Sequence, residues 1–317
     1  MRYMKLAKTL SFQRHADVPA APEGYWHAYQ GISSTGEGLF LCKANEPGSG
    51  EDKAPLKLFI VTPKATKQIE ITLLHLEDPA YVTTFPDGRL LLVEPRSQLY
   101  RDGTCDQNAA VYDPITGHAY SFLIGDAVTA IGVDGRGRIW ASFYDEGIFG
   151  NYGWGEGDSP LSPGEGGLVC FDDHGELLWS FNHVVKESSI DDCYALNITT
   201  DGVWINYYED FRICQIGMDQ DDTDFEVQFF QSRGINGSDA IAVSDDAFLL
   251  SRQYGEANSR FHLIRRDGKL SEKPQAYRAK LPDGRLDIRH LNPIGHGSRM
   301  HLIGEAGWFS VDVGEVD

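Results

Sequence analysis

Short runs of strand-forming residues, separated by turn residues, recur along the chain of 317 residues. The clearest example is a pair of runs at residues 128–133 and 139–143, which are joined by the DGRG turn at residues 134–137. Valine, isoleucine and aromatic residues favour strands, and the glycines of the turn can adopt positive φ angles. This segment therefore predicts a β-hairpin.

Similar hairpins form a repeating unit of four predicted strands. The first turns of successive units contain Gly36, Gly88, Gly135, Gly202, Asp246 and Gly297. Four-stranded units that repeat every ~40–50 residues are typical of β-propellers. We therefore expect an all-β fold, a six-bladed β-propeller with four antiparallel strands per blade in a single domain over residues 1–317. The predicted blades begin near residues 27, 80, 127, 192, 239 and 287.

The two ends of the chain complement each other in this arrangement. The last unit contains only three predicted strands, whereas residues 4–12 form a lone predicted strand without a local partner. A strand in a folded core must pair its backbone groups. We therefore predict that the N-terminal strand 4–12 completes blade six and closes the ring.

Blade three carries a long insertion, residues 147–166, between its second and third predicted strands. Long loops inside compact domains are usually either functional or disordered. The insertion is rich in glycine and proline, but it also contains Phe149, Tyr152 and Trp154. Large aromatic side chains usually cover other apolar groups. We expect a lid or docking arm across the channel mouth, and a disordered surface loop is the alternative.

Charge restricts the classes of partner. The chain has 28 Lys and Arg against 47 Asp and Glu, a formal net charge of -19. Such a field repels nucleic acids and anionic membranes and attracts basic proteins or cations. The five cysteines show no metal-finger spacing, which favours reduced structural thiols. No signal sequence or apolar run of about 18 residues is present, so we predict a cytoplasmic protein without a membrane partner.

Candidate binding residues occur in two sets of loops that share one face of a propeller. These loops lead into the innermost strand of each blade or connect its second and third strands. Carboxylates and aromatic residues recur in both sets. Aromatic residues and arginine often carry binding energy at interfaces, whereas solvated turn chemistry is the alternative. The candidates are His27, Asp78, Asp126, Tyr144, Asp145, Glu146, Trp154, Asp192, Tyr208, Glu209, Asp239, Arg252, Tyr254, Asp287 and Glu305.

The usual catalytic motifs are missing from the sequence. It contains no GxSxG, HExxH, P-loop or GxGxxG motif. His290, His296 and His301 lie near one another in the sequence, but their spacing matches no known metal motif. The catalytic residues, if any, are therefore not identified by the sequence.

Three turns carry a resemblance to known proteins: PDGR at residues 86–89, DGRGRIW at 134–140 and TDGVW at 200–204. With the repeat, they resemble the six-bladed propeller superfamily of NHL-repeat, TolB-like and gluconolactonase/regucalcin-like proteins. The gluconolactonase-like members bind a divalent metal at the channel mouth. That resemblance implies Asn197 and Asp239 as metal ligands, with calcium as a candidate cation. His27 stands near the position where these members have a glutamate.

Two functions from different classes remain open. The first is a non-enzymatic binding propeller that engages a basic protein partner through an acidic, aromatic-rich face, as an inhibitor or immunity protein would. The alternative is a divalent-metal-dependent hydrolase, such as a lactonase, with its site at the acidic channel mouth. A small polar ligand in the channel is compatible with either. Catalysis on a small sugar-like ligand, as a lyase or isomerase, is a third option.

Overall fold

The computed structural model describes residues 8–46, 54–73, 76–218, 225–266 and 273–316, which form six β-sheets arranged as the blades of a ring. The chain begins with β1 (Lys8–Ser11) and β2 (Gln13–Ala16). Blade one contains β3 (Tyr25–Ile32), β4 (Gly38–Ala44), β5 (Leu56–Val61) and β6 (Thr66–Ile71). Blade two contains β7 (Tyr81–Thr84), β8 (Leu90–Val93), β9 (Ala109–Tyr112) and β10 (Ala119–Phe122).

The remaining blades follow the same order from the channel outward. Blade three contains β11 (Val128–Val133), β12 (Ile139–Phe143), β13 (Leu168–Phe171) and β14 (Leu177–Ser180), with the short helices α1 (Asp145–Phe149) and α2 (Phe181–Val184). Blade four contains β15 (Asp192–Ile198), β16 (Gly202–Tyr208), β17 (Ile213–Gly217) and β18 (Val227–Phe230). Blade five contains β19 (Ile241–Val243), β20 (Ala247–Leu250), β21 (Arg260–Arg265) and β22 (Gln275–Lys280). Blade six contains β23 (Asn292–His296), β24 (Arg299–Gly304) and β25 (Gly307–Asp312).

The six-bladed architecture predicted from the repeat is confirmed. Blade six, however, begins with β23 at Asn292 rather than near residue 287. A turn at residues 288–291, where the backbone N–H of Leu291 donates to the carbonyl of Ile288 at 2.9 Å, explains the difference. The chain therefore reaches the innermost position only after this turn. None of the helices in the described part of the chain is long or apolar enough to span a lipid bilayer.

An N-terminal strand closes the ring, as expected, but the prediction that residues 4–12 complete blade six was wrong in its boundaries. β2 pairs antiparallel with β25 and supplies the outer strand of blade six. β1 instead pairs in parallel with β22 and adds a fifth strand to blade five. The chain can serve both blades because Phe12 lies between the two strands, with its side chain almost fully buried. Residues 4–7 of the prediction lie outside the described residues.

The hydrophobic core lies between neighbouring blades. Trp140 and Trp179 of blade three meet Phe225, which precedes β18 of blade four, with ring centroids 5.3 and 5.7 Å from Phe225. Trp204 of blade four lies 5.5 Å from Phe248 of blade five. Burying a side chain as large as phenylalanine stabilises a fold by about 1.5–3 kcal/mol. These aromatic contacts therefore hold the sheets together and keep the channel walls in fixed positions.

The antiparallel strands give the ring two distinct faces. We call the upper face the one that holds the loops leading into the innermost strands and the loops between the second and third strands of each blade. The lower face holds the other turns, including residues 134–137. Strand direction alone assigns each loop to a face.

The insertion at residues 147–166 lies on the upper face, between β12 and β13 as predicted. It packs against a loop of blade two rather than across the channel. The indole N–H of Trp154 donates to the carbonyl of Ser97 at 2.9 Å, and the backbone N–H of Leu99 donates to the carbonyl of Tyr152 at 2.9 Å. Trp154 is only 5% exposed, because the blade-two loop covers it. No residue of the insertion lines the channel cavity among the described residues, so the expected lid is not seen.

Candidate binding site at the upper channel mouth

The innermost strands surround a cavity of about 250 Å³ along the axis of the ring. Because these strands run from the upper to the lower face, their first residues lie at the upper mouth. Tyrosines dominate there, and small or aliphatic residues follow deeper in the channel. The residues lining the upper part are Tyr29, Gln30, Tyr81, Thr83, Thr129, Tyr194 and Asp239.

β-Bulges place several of these side chains in the channel. The pairing register shifts between His27 and Tyr29 in β3, between Val128 and Ala130 in β11, and between Cys193 and Ala195 in β15. A bulge leaves one residue unpaired and re-aims its side chain, and bulges are common next to functional sites. The residues skipped by the last two shifts are Thr129 and Tyr194, and both line the cavity. The upper mouth is therefore built by local departures from regular pairing.

Tyr29 and Tyr81 form an aromatic wall on one side of the mouth. Their ring centroids are 5.9 Å apart with an interplanar angle of 72°. The hydroxyl of Tyr81 donates to the carbonyl of Val128 at 3.1 Å, which ties blade two to blade three. Burial, with a contribution from nearby Tyr144, raises the pKa of Tyr81 to about 12. Tyr81 therefore stays neutral near pH 7.

Tyr144 and Tyr194 stand on the other side of the mouth. Tyr144 is 48% exposed, and burial followed by the negative charges of Asp192 and Asp239 raises its pKa. Tyr194 stacks on Phe211, with centroids 6.2 Å apart and an interplanar angle of 8°. Burial, then Asp192, raises the pKa of Tyr194 to about 12. The two tyrosines are thus neutral aromatic neighbours of the same carboxylate.

Phe211, the residue on which Tyr194 stacks, is held in an unusual backbone conformation. Its φ is 53°, a region that side chains other than glycine seldom adopt. The amide of the buried Asn206 donates to the carbonyls of Phe211 and Arg212 at 3.0 Å each. The Oδ1 atom of Asn206 accepts from the backbone N–H of Ser238 at 3.0 Å, which joins this loop to the start of blade five.

All four non-glycine residues with positive φ in the described part of the chain belong to loops of the upper face. Strained backbone tends to cluster at functional sites, because the rest of the fold stabilises it there. These residues are Ala127, Tyr152, Phe211 and Arg233. The lower-face turns of the described chain use glycine at such positions instead, including Gly88 and Gly137.

Two carboxylates at the mouth have different environments. Asp239 forms an ion pair with Arg252, with Nε and Oδ2 2.9 Å apart. Asp192, the first residue of β15, is half-buried, and its Oδ1 atom is buried without a hydrogen-bond partner. Burial, then the negative charge of Asp145, raises the pKa of Asp192 to about 6. Asp192 is therefore a carboxylate that the protein does not neutralise.

Besides Asp239, four of the predicted carboxylates form ion pairs with other residues. Asp126 is fully buried, and its Oδ1 accepts from the backbone N–H of Ser97 at 3.0 Å, while Arg96 lies 3.4 Å away. This carboxylate joins loops of blades two and three and is not accessible at the rim. The other pairs are Asp78 with Lys43, Glu146 with Arg96, and Asp287 with Arg289.

The remaining predicted residues are spread over the upper face. Tyr208, Glu209, Tyr254 and Glu305 are exposed, with Tyr254 81% exposed. His27 instead packs inside blade one, with its ring 6.0 Å from that of Phe40. Burial lowers the pKa of His27, so it is neutral near pH 7. His27 and Trp154 therefore contribute packing more than exposed surface.

Exposed aromatic side chains are confined to the upper face. Of the large aromatic residues described by the structure, seven are at least 42% exposed. Each of them lies in a loop of the upper face or at the upper end of a strand. Contiguous exposed apolar groups on a soluble protein mark interaction sites. The seven residues are Trp26, Tyr100, Tyr144, Phe149, Tyr152, Tyr208 and Tyr254.

The implied metal pair is not supported by the geometry. Asn197 lies near the lower end of β15, where its Nδ2 donates to the carbonyls of Ile241 and Gly297 and its Oδ1 accepts from the N–H of Gly297. All of its polar atoms are therefore used to join three blades. Asp239 lies at the opposite end of the channel and pairs with Arg252. The assignment of Asn197 as a metal ligand was wrong, because it came from sequence position without regard to strand ends.

One group of potential metal ligands is found in the described chain, but it lies away from the channel. Asp172, Asp173 and His174 belong to the turn between β13 and β14 on the lower face. Asp173 forms an ion pair with Arg89 at 2.8 Å, and Asp172 accepts hydrogen bonds from its own turn. These contacts explain the cluster as a turn that joins blades two and three.

Sequence reasoning found the acidic residues of the mouth and Tyr144 but missed three other tyrosines. Tyr29, Tyr81 and Tyr194 lie within innermost strands, where they read as ordinary strand formers. A comparison of the first few residues of each innermost strand could have identified them, because three of these strands carry tyrosine there. Phe211 could not have been found this way, because its position depends on a contact with another strand.

Comparisons with known proteins agree at the level of the fold. The Cps50 (Swd1) β-propeller domain of Myceliophteria thermophila superposes with a TM-score of 0.52 and 11% identity, covering 90% of this chain and 83% of that one. Regucalcin from Agrobacterium tumefaciens superposes with a TM-score of 0.50 and 12% identity, covering 96% and 95%. At these identities the likeness shows the fold alone. The chain is a six-bladed β-propeller, which confirms the fold that the resemblance implied.

Sequence comparison adds a partial match. A model of the YxzG family matches residues 168–269, which is less than half of the chain and runs from blade three into blade five. The sequence matches no curated protein.

Proposed function

We propose that this propeller is a non-enzymatic binding module whose upper face engages a basic protein partner. The observation that carries the proposal is the confinement of the exposed aromatic residues to that face, where they stand among carboxylates. Tyr144 adjoins Asp192 and Asp239, and Tyr208 directly precedes Glu209. Aromatic anchors supply contact area, and the surrounding acids select a positively charged partner.

The net charge supports the same choice of partner. A formal charge of -19 raises the encounter rate with basic proteins and lowers it with acidic ones. The rigid ring also limits the entropy lost when the face is covered, because its loops are already held by ion pairs such as Arg96 with Glu146. Such a face would suit an inhibitor or immunity protein that binds a cationic toxin or enzyme.

The test compares matched variants of the two faces in affinity capture. Tyr144→Ala with Tyr254→Ala removes two exposed aromatic residues of the upper face. Ile115→Ala with Leu177→Ala removes two exposed apolar residues of the lower face. We expect basic proteins retained by the wild type to be retained by the lower-face variant and lost by the upper-face variant. Retention by both variants, or partners without a basic charge, would contradict the proposal.

The metal-dependent alternative has weaker support. The regucalcin that shares this fold is described as a calcium-binding protein. Calcium requires six to eight oxygen ligands, typically with several carboxylates. Asn197 lies at the other end of the channel and its polar atoms are already bonded, and Asp239 is paired with Arg252, which leaves Asp192 and the exposed Asp145 as carboxylates without an ion pair among the described residues of the mouth. The donors present therefore do not fit a calcium site, and no hydrolytic step is derived from them.

A further inference from the structure

We propose that the upper channel mouth is a binding pocket for one guanidinium or ammonium group, supplied by an arginine or lysine side chain of the basic partner and held by Asp192 between Tyr144 and Tyr194. The pocket rests on the proposed function, since it names the group that the upper face would receive at its centre. The pocket can also be tested separately, because it should bind the cationic group on a small molecule as well as on a protein.

The polar atoms of the mouth require a donor. The Oδ1 atom of Asp192 and the Oε1 atom of Gln30 are buried acceptors that have no hydrogen-bond partner in the described structure. A buried acceptor left without a donor is destabilising, because it has lost its hydrogen bonds to water. Asp239 differs, because Arg252 already neutralises it. A ligand that donates hydrogen bonds and carries positive charge would satisfy Asp192 and relieve this cost.

Asp192 also lies among groups that increase its need for a cation. The electrostatic neighbours of its carboxylate include Asp145 on α1, which has the same charge. Three further neighbours, Tyr144, Tyr194 and Cys193, are neutral near pH 7, because burial raises their pKa values. The one cation identified at the mouth, Arg252, is committed to Asp239. The charge at Asp192 is therefore not compensated by the residues around it.

The aromatic walls suit a cation in both charge and shape. The faces of aromatic rings attract guanidinium and ammonium groups, and the attraction grows when water is excluded. Tyr144 and Tyr194 are both close enough to Asp192 for its charge to raise their pKa values. The same two rings can therefore contact a group that is bound to the carboxylate.

The size of the cavity favours a single side chain. The channel cavity of about 250 Å³ is lined by Gln30, Tyr194 and Asp239, with Asp192 and Tyr144 outside its lining, and it is below the range of ~300–1,000 Å³ that encloses a whole drug-sized ligand. The mouth lies at one end of the channel, on the same face as the exposed aromatic residues. Residues that carry most of the binding energy tend to lie at the centre of an interface, where surrounding contacts exclude water. A side chain inserted here would occupy that position.

Protonation of Asp192 gives the pocket a testable pH dependence. The pKa of about 6 means that the carboxylate is ionised above pH 6 and protonated below it. A cation binds the ionised form, so affinity should be full above pH 7 and fall as the pH drops through 6. At pH 5 about one tenth of the sites would be ionised, which predicts a loss of roughly tenfold. The charged and titratable groups that face Asp192 are Tyr144, Asp145, Cys193, Tyr194, Tyr208, Asp239 and Arg252.

The experiment titrates the isotope-labelled full-length protein with two small probes, observed by NMR. N-acetyl-arginine amide carries the guanidinium, and N-acetyl-citrulline amide has nearly the same shape without the charge. We expect saturable shifts at the amides of Tyr144, Asp192 and Tyr194 with the arginine probe, and affinity at least about tenfold lower for citrulline, because charge-assisted hydrogen bonds are the stronger ones. Equal affinity for both probes, or no binding of the arginine probe, would overturn the pocket.

Asp192→Asn is the decisive variant, and Asp245→Asn is its matched control. Both remove one negative charge, but Asp245 is exposed on the lower face. Burial opposes the charge of Asp192, so the neutral variant should fold at least as stably as the wild type above pH 6. We expect about tenfold weaker arginine binding, without pH dependence, for Asp192→Asn only. Wild-type binding by Asp192→Asn would overturn the proposal, as would calcium chloride shifting the same amides at lower concentration than arginine.

The pocket and the proposed function can fail separately. If the arginine probe binds at Asp192 but no basic protein depends on the upper face, the pocket stands and the proposed function fails. If a basic protein is lost on Tyr144→Ala with Tyr254→Ala yet binds Asp192→Asn unchanged, the proposed function stands and the pocket fails.

Discussion

At the scale of single residues, carboxylates that look alike in the sequence have different roles in the structure. Asp126 and Asp192 both precede or begin an innermost strand. Each has one buried oxygen without a hydrogen-bond partner, but Asp126 is fully buried, bonded to the backbone of Ser97 and paired with Arg96 at 3.4 Å, whereas Asp192 is half-buried and forms no ion pair among the described residues. The loop that contains Ser97 accounts for the difference, because it covers one carboxylate and not the other. The sequence could predict an acidic rim, but not which acid is available.

Asp134 shows how much a single carboxylate can contribute to a blade. It lies at the turn between β11 and β12, and its Oδ1 accepts from the backbone N–H groups of Arg136 and Arg138. Its Oδ2 accepts from Arg138 Nε at 2.7 Å and from Trp140 Nε1 at 3.0 Å. Asp134 and Arg138 are both nearly fully buried. The turn and the core of blade three therefore depend on the same side chain.

We expect Asp134→Ala to lower the free energy of unfolding by about 3–5 kcal/mol, because it removes one partner of a buried ion pair. Urea unfolding followed by tryptophan fluorescence measures this change. Asp245→Ala, at the corresponding turn of blade five but exposed, is the control and should change stability by less than about 0.5 kcal/mol. An equal decrease in the free energy of unfolding for the two variants would show that the buried ion pair does not stabilise the fold more than an exposed aspartate does.

At the scale of elements, two N-terminal strands are present where one was expected, and they pair with different blades. β1 adds a parallel fifth strand to blade five, and β2 completes blade six. A four-stranded count per blade could be predicted from the repeat, because each blade encodes its own turns. The parallel strand could not, because parallel pairing with β22 leaves no turn between the partners in the sequence.

Two truncations test this division. A chain that begins at Phe12 lacks β1 but keeps β2, whereas a chain that begins at residue 18 lacks both strands. We expect the second truncation to lower the melting temperature much more than the first, because it exposes the edge of β25 and opens the ring. Thermal unfolding measured by circular dichroism compares them with the full chain. Equal melting temperatures for the two truncations would mean that β2 does not close the ring.

At the scale of the whole molecule, the distribution of groups between the two faces matters more than the total charge. The described aromatic residues that are exposed all lie on the upper face, and the unneutralised Asp192 begins the innermost strand of blade four on the same face. Net charge could be read from the sequence. The separation of the faces depends on strand direction around the ring, which places loops from every blade on one side.

We expect binding of a basic partner by the upper face to weaken by about tenfold or more between roughly 50 and 300 mM NaCl, mainly through a slower association rate. Stopped-flow or surface plasmon resonance measurements with the captured partner would give the rates. Asp145→Asn with Glu209→Gln should reduce this salt dependence, and Asp245→Asn, on the lower face, should leave it unchanged. An association rate that is independent of salt would contradict electrostatic steering.

The sequence by itself determined the class of fold, because strands and turns such as residues 134–137 are encoded within a few neighbouring residues. It also determined the acidic character of the molecule. Only the tertiary structure decided where the mouth is and what it offers. Tyr81, Tyr144, Asp192 and Asp239 belong to four different blades, and Asn197 was separated from them by the length of one strand. Closure of the ring brings these distant positions together, and burial then determines which carboxylate has a partner and which does not.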